Sequence, residues 1–124
     1  MKTVLVTGAN GQLGNSIRLL AENHPGYNFL FTDVDTLDIT NPAAVWGMIK
    51  DNQVDFVLNC AAYTAVEKAE EDEALCRRIN AFAVGVLGKA AHEAGAKMIH
   101  VSTDYVFSGT SYRPYVETDV TCPI

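Results

Sequence analysis

Apolar and polar positions along this chain switch repeatedly between two periods. Val4, Leu5 and Val6 form a short apolar, β-branched run that breaks at Thr7-Gly8, and this predicts a buried strand. Leu13, Ile17, Leu20 and Ala21 then recur at helical spacing, and the helix stops near Asn23-His24-Pro25-Gly26. Asn28 to Thr32 predicts a second strand. Asn41-Pro42 predicts a helix start, with Asn41 as N-cap, Pro42 at the first helical position and Ala44, Val45, Met48 and Ile49 as the buried face. Phe56 to Asn59 predicts a third strand. A long helix follows, with a charged opening (Glu67 to Glu73) and an apolar stripe through Leu75, Ile79, Phe82, Val86, Leu87 and Ala90. Ala94-Gly95 ends it, where glycine suits the left-handed capping conformation. Met98 to Ser102 predicts a fourth strand, and no periodicity follows Thr103.

Four alternations of strand and helix call for a parallel sheet with right-handed crossovers. The expectation is an α/β, doubly wound sheet, incomplete, with strand order 3-2-1-4. In such a sheet ligands lie across the carboxyl ends of the strands. The loops expected to carry chemistry are therefore 8–14, 33–39, 60–64 and 103–109.

The first of these loops is the most informative. Gly8, Gly11 and Gly14 sit between the first strand and the first helix, spaced G-x-x-G-x-x-G. Gly8 allows a sharp turn, Gly11 a close approach of backbone to phosphates, and Gly14 tight packing of helix on strand. The helix start offers unpaired N–H groups and a positive dipole end to an anion. This is the pattern of a Rossmann-like dinucleotide site.

Composition narrows the picture. The 124 residues make one domain, 48% hydrophobic and 19% charged, as in ordinary globular proteins. A net charge of −6 supplies no basic stripe for nucleic acid, yet leaves room for a local anion site built from backbone N–H groups. Met1 leads into a strand without a signal-peptide pattern, and no apolar run is long enough for a membrane span, so a cytoplasmic protein is expected. Cys60, Cys76 and Cys122 fit neither a disulfide framework nor a zinc pattern, and His24, His92 and His100 are scattered; no metal site is expected.

At the other strand ends the residues keep more than one reading. Asp33 closes the second strand about 20 residues after the glycine turn, where a carboxylate accepts hydrogen bonds from an adenosine ribose. No arginine follows it (Val34-Asp35-Thr36 comes next), so the local chemistry leans towards NADH while leaving NADPH open. Asp38-Ile39 either flanks an adenine or caps the next helix. Cys60-Ala61-Ala62-Tyr63-Thr64 has small side chains where a cofactor would pass, as a tight strand-to-helix turn also would. Ser102-Thr103 puts hydroxyls at the end of the fourth strand, suited to a substrate carbonyl.

Taken in order, TGANGQLG, LDITNP, NCAAYTAVEKAE and STDYVFSG followed by RPYVETDVTCPI resemble the dTDP-4-dehydrorhamnose reductase family of the extended short-chain dehydrogenase/reductase superfamily, along essentially the whole chain. The resemblance implies reduction of the C4 ketone of a dTDP-linked 4-keto-6-deoxy hexose with NADPH or NADH, in dTDP-L-rhamnose and hence polysaccharide biosynthesis. It implies that Gly11, Gln12 and Leu13 contact the cofactor pyrophosphate, Asp33 the ribose and Asp38-Ile39 the adenine. Ala62, Tyr63, Thr64 and Val101 would line the rest of the cofactor path. Thr103 would be the catalytic hydroxyl, and Thr103 with Asp104 would meet the sugar nucleotide. Asn80 matches a structural asparagine of the superfamily.

The family's Tyr-x-x-x-Lys motif is expected just beyond Ile124 and occurs nowhere in the chain. Residues 1–124 are thus expected to be the N-terminal NAD(P)-binding domain, without the substrate domain and inactive alone. An open edge at the fourth strand would favour self-association as a homo-oligomer, or limited stability. Three other functions stay open: a non-catalytic regulatory subunit resembling that of methionine adenosyltransferase, simple nucleotide binding with no chemistry in the parent, and another sugar-nucleotide reductase or epimerase.

Overall fold

The computed structural model describes residues 1–62, 71–103 and 106–122. Its elements are β1 (Lys2–Thr7), α1 (Gln12–Ala21), β2 (Tyr27–Phe31), α2 (Pro42–Asp51), β3 (Phe56–Asn59), α3 (Glu73–Arg77), a π-helical stretch (Arg78–Phe82), α4 (Ala83–Glu93) and β4 (Lys97–His100). The boundaries follow local chemistry. Asn41 caps α2, its side-chain oxygen accepting from the N–H groups of Ala43 at 3.1 Å and Ala44 at 3.3 Å, with Pro42 at the first turn. Gly95, at φ +73°, closes α4 in the left-handed region.

All four strands pair in parallel, giving the doubly wound sheet that the alternation predicts. The order is β2-β1-β3-β4. The expected 3-2-1-4 order is corrected: β3 lies on the far side of β1 from β2, with Val4 opposite Phe56 and Val6 opposite Leu58. The physical reason is the face that α2 buries. Val45 and Ile49 of α2 share one core with Leu5, Val57 and the α4 residues Leu87 and Ala90. To join that core α2 crosses back over β1 and delivers the chain to its free edge.

Alternation along β1 sends Val4 and Val6 to the opposite face, where Ile17 of α1 packs with Phe29 and Phe31. Little of α1 itself is buried. Only Gly14 of α1 is fully buried, and Leu13 and Leu20 are 44% and 56% exposed. The stripe of the long helix divides similarly: Val86, Leu87 and Ala90 are buried, whereas Phe82 is 53% exposed. α1 and α4 thus flank opposite faces of the sheet and follow the neighbouring strands β1 and β3. The crevice between the carboxyl ends of these two strands is the switch point at which such folds take ligands.

Candidate functional site

A cleft of about 590 Å³ opens at this switch point, walled by Gly8, Asn10 and Gly11 of the first turn, Asp33 and Val34 after β2, Asp38 to Thr40, and Cys60 to Ala62 after β3. Its floor depends on glycine. Gly8 has φ +63°, and a Cβ there would lie 2.6 Å from the Ala61 backbone; a Cβ at Gly14 would lie 2.5 Å from Ala9. The first glycine therefore lets the β1 turn touch the β3 loop, and the third lets α1 sit on the turn. Gly11 is the N-cap of α1 and donates to Gly8 O at 3.1 Å, but has no side chain with which to cap the helix. The first-turn N–H groups, on Gln12, Leu13 and Gly14, are left for an acceptor from outside the helix.

Asp33 is fixed on this turn. Its Oδ2 accepts from Asn10 N at 2.9 Å and its Oδ1 from Val34 N at 2.8 Å, while Thr36 Oγ1 accepts from Asp33 N. Ala9 N donates to Thr32 O at 2.9 Å, tying the glycine turn to the end of β2. Asp38 lines the cleft and shapes the turn before α2, whose cap is Asn41. Its Oδ1 accepts from Thr40 Oγ1 at 2.6 Å and Thr40 N at 3.0 Å, and Arg78 Nη2 donates to Thr40 Oγ1 at 3.1 Å. The Thr40 hydroxyl and N–H, helped by the Arg78 charge, hold the Asp38 carboxyl below its ordinary value. Burial raises the thiol of Cys60, so it stays protonated in the cleft wall.

Of the residues expected from sequence, Gly8, Gly11, Asp33, Asp38, Ile39 and Ala62 meet in this cleft. Gly14 lies buried beneath it, and Gln12 and Leu13 form its helix start. Val101 and Thr103 follow β4, are exposed, and are not among the residues lining the cleft. Tyr63, Thr64 and Asp104 lie outside the described residues. Leu75, Arg78 and Ile79 also line the cleft, a role that sequence reasoning missed. Leu75 and Ile79 read as core because they lie on the helical stripe, but the π-helical stretch breaks that periodicity at Arg78. No signal in the sequence marks the stretch.

A parallel doubly wound sheet with a glycine turn after its first strand and an aspartate after its second defines a Rossmann-like nucleotide-binding domain. Residues 1–124 match the family model described as RmlD substrate binding domain, and the chain belongs to that family. It is 43% identical to the dTDP-4-dehydrorhamnose reductase of Burkholderia thailandensis over 98% of this chain and 40% of the relative. Against that of Escherichia coli K12 the figures are 40%, 98% and 41%. Among solved structures it resembles a dTDP-4-dehydrorhamnose reductase from Clostridium acetobutylicum (TM-score 0.91, 42% identity, 98% of this chain and 43% of that one). It also resembles the Bacillus anthracis reductase solved in complex with NADP (TM-score 0.89, 37% identity, 99% and 44%). The chain spans about two fifths of the length of these relatives. No helix among the described residues is long and apolar enough to cross a membrane.

Proposed function

We propose that residues 1–124 are the NAD(P)-binding part of a cytoplasmic dTDP-4-dehydrorhamnose reductase, which reduces the C4 ketone of a dTDP-linked 4-keto-6-deoxy hexose. One observation carries the reading: the glycine turn and Asp33 meet in one cleft at the switch point, joined by the Asn10 N to Asp33 Oδ2 bond at 2.9 Å. Relatives 40–43% identical are reductases of this name, which favours an enzymatic parent over a regulatory one.

The residues present fit a dinucleotide. The uncapped start of α1, at Gly11, Gln12 and Leu13, would hold the diphosphate through backbone N–H groups and the helix dipole. Asp33 would accept from the adenosine ribose, and Asp38 with Ile39 would border the adenine. Ala62, with Tyr63 and Thr64, would continue the path. When bound, the reduced nicotinamide supplies the hydride. Thr103 would orient the substrate ketone through its hydroxyl, beside Asp104 at the sugar nucleotide, and Val101 would flank the nicotinamide end.

Proton delivery to the resulting alkoxide needs an acid of tuned pKa, and no Tyr-x-x-x-Lys occurs in these 124 residues. The chain by itself is therefore a binding unit. Equilibrium dialysis with NADH and with NADPH tests this reading: saturable binding of at least one is expected, and failure of both to bind at millimolar concentration would overturn it.

A further inference from the structure

We propose that Arg18 is a specificity-determining residue that recognises the 2′-phosphate of NADPH, so that this chain prefers NADPH to NADH. The inference rests on the dinucleotide reading above and adds to it the choice between the two cofactors. Along the sequence no arginine follows Asp33, which by itself leans towards NADH. In space, however, Arg18 of α1 is linked to Asp33 through Asn10, just outside the residues that wall the cleft.

Arg18 Nη2 donates to Asn10 Oδ1 at 2.9 Å, and the backbone N–H of that same Asn10 donates to Asp33 Oδ2 at 2.9 Å. A ribose held by Asp33 would thus have its 2′ position one residue away from a guanidinium. The guanidinium is also held in place. Its Nε donates to Ala9 O at 3.4 Å, and its carbon lies 4.9 Å from the centroid of the Phe31 ring. These two hydrogen bonds leave three of the five N–H donors of Arg18 unspent among the described residues. Arg18 forms no salt bridge there either, so its charge is not committed to a carboxylate.

A planar, pre-positioned cation with spare donors matches the geometry of a phosphate monoester. Asp33 would ordinarily repel that phosphate. Here both of its oxygens accept main-chain N–H groups, from Val34 and Asn10, which partly offset that charge while leaving lone pairs for the ribose. Arg78, the cation that lines the cleft, is engaged with Thr40 beside Asp38 and is not tied to Asp33.

Calorimetric titration of the chain and of its Arg18→Gln and Arg18→Lys variants tests the assignment, using NADPH, NADH, 2′,5′-ADP and 5′-AMP. The unmodified chain should bind NADPH at least about tenfold tighter than NADH, as charge-assisted hydrogen bonds allow. Arg18→Gln should lose about tenfold or more for NADPH and 2′,5′-ADP while NADH and 5′-AMP stay within about twofold, and Arg18→Lys should retain part of the difference. If Arg18→Gln binds NADPH as tightly as the unmodified chain, or weakens all four ligands alike, the assignment is wrong. If the unmodified chain binds NADH but shows no preference for NADPH, the role of Arg18 falls while the dinucleotide reading stands. Binding of none of the four overturns both.

Discussion

Thr7 Oγ1 donates a 2.6 Å hydrogen bond to Asn59 Oδ1, joining β1 to β3 at their buried carboxyl ends directly beneath the glycine turn. The same Asn59 oxygen accepts from Ala61 N at 3.3 Å, and its Nδ2 pairs with His100 Nδ1 at 3.0 Å. One side chain therefore sets the loop against which Gly8 packs and reaches across to β4. Replacing Asn59 by Ala strands the Thr7 hydroxyl in a dry environment. The expected cost is about 2 kcal/mol, read from urea unfolding as a lower midpoint with an unchanged slope. A loss under about 0.5 kcal/mol would mean that the pair contributes little.

The glycines separate into those that the site requires and those that it does not. Gly14→Ala places a methyl 2.5 Å from the Ala9 backbone, and Gly8→Ala adds a strained φ of +63° to a 2.6 Å clash with Ala61. Each should destabilise the chain by about 2 kcal/mol or more and weaken cofactor binding. Gly47, inside α2, has open space at its Cβ position. Gly47→Ala should instead stabilise by about 0.5–1 kcal/mol. Thermal unfolding of the three variants checks the contrast, and equal effects at Gly47 and Gly14 would refute it.

Asp38 gives a pH signature. Its carboxyl is held below 3.8, first by the Thr40 hydroxyl, then by the Thr40 N–H and the Arg78 charge. Because the folded value is depressed, the carboxylate contributes stability above the unfolded value, and that contribution is lost as pH falls through the lower folded value. Carboxyl-carbon NMR titration of Thr40→Val should move Asp38 up towards 3.8, with a smaller upward move in Arg78→Ala. An Asp38 titration unchanged by Thr40→Val would contradict the hydrogen-bond cause.

Catalysis gives a negative expectation. The 124 residues hold no tyrosine with a lysine four residues on to protonate the alkoxide that hydride transfer would leave. The purified chain should therefore show no oxidation of NADPH above background with a dTDP-4-keto-6-deoxy sugar. Turnover close to that of a full-length relative would require another acid.

Much of this fold was legible because local chemistry and tertiary role agree. Asn41-Pro42 and Gly95 mark helix ends wherever the helix packs, and the β-branched run at Val4 to Val6 reads as a strand on any sheet. The glycine spacing and Asp33 were legible for the same reason, since the turn needs those residue types. Strand order was not legible: it depends on which face Val45 and Ile49 bury, and one apolar helix face fits either side of a sheet. Nor was the role of Leu75, Arg78 and Ile79, because a π-helical stretch rotates a stripe without changing its composition. Arg18 escaped notice on the sequence because its partner Asn10 lies eight residues away across the glycine turn, and only folding pairs them.

Amide NMR of the chain during titration with NADPH tests whether the α1 start and Asp33 form one dinucleotide cleft. The N–H signals of Gly11, Gln12, Leu13, Asp33 and Ile39 should shift in a saturable way, while those of Trp46 and Lys89, on the remote α2–α4 groove, stay in place. Unmoved signals at the glycine turn under millimolar NADPH, or shifts centred on the α2–α4 groove, would show that the dinucleotide does not bind in this cleft.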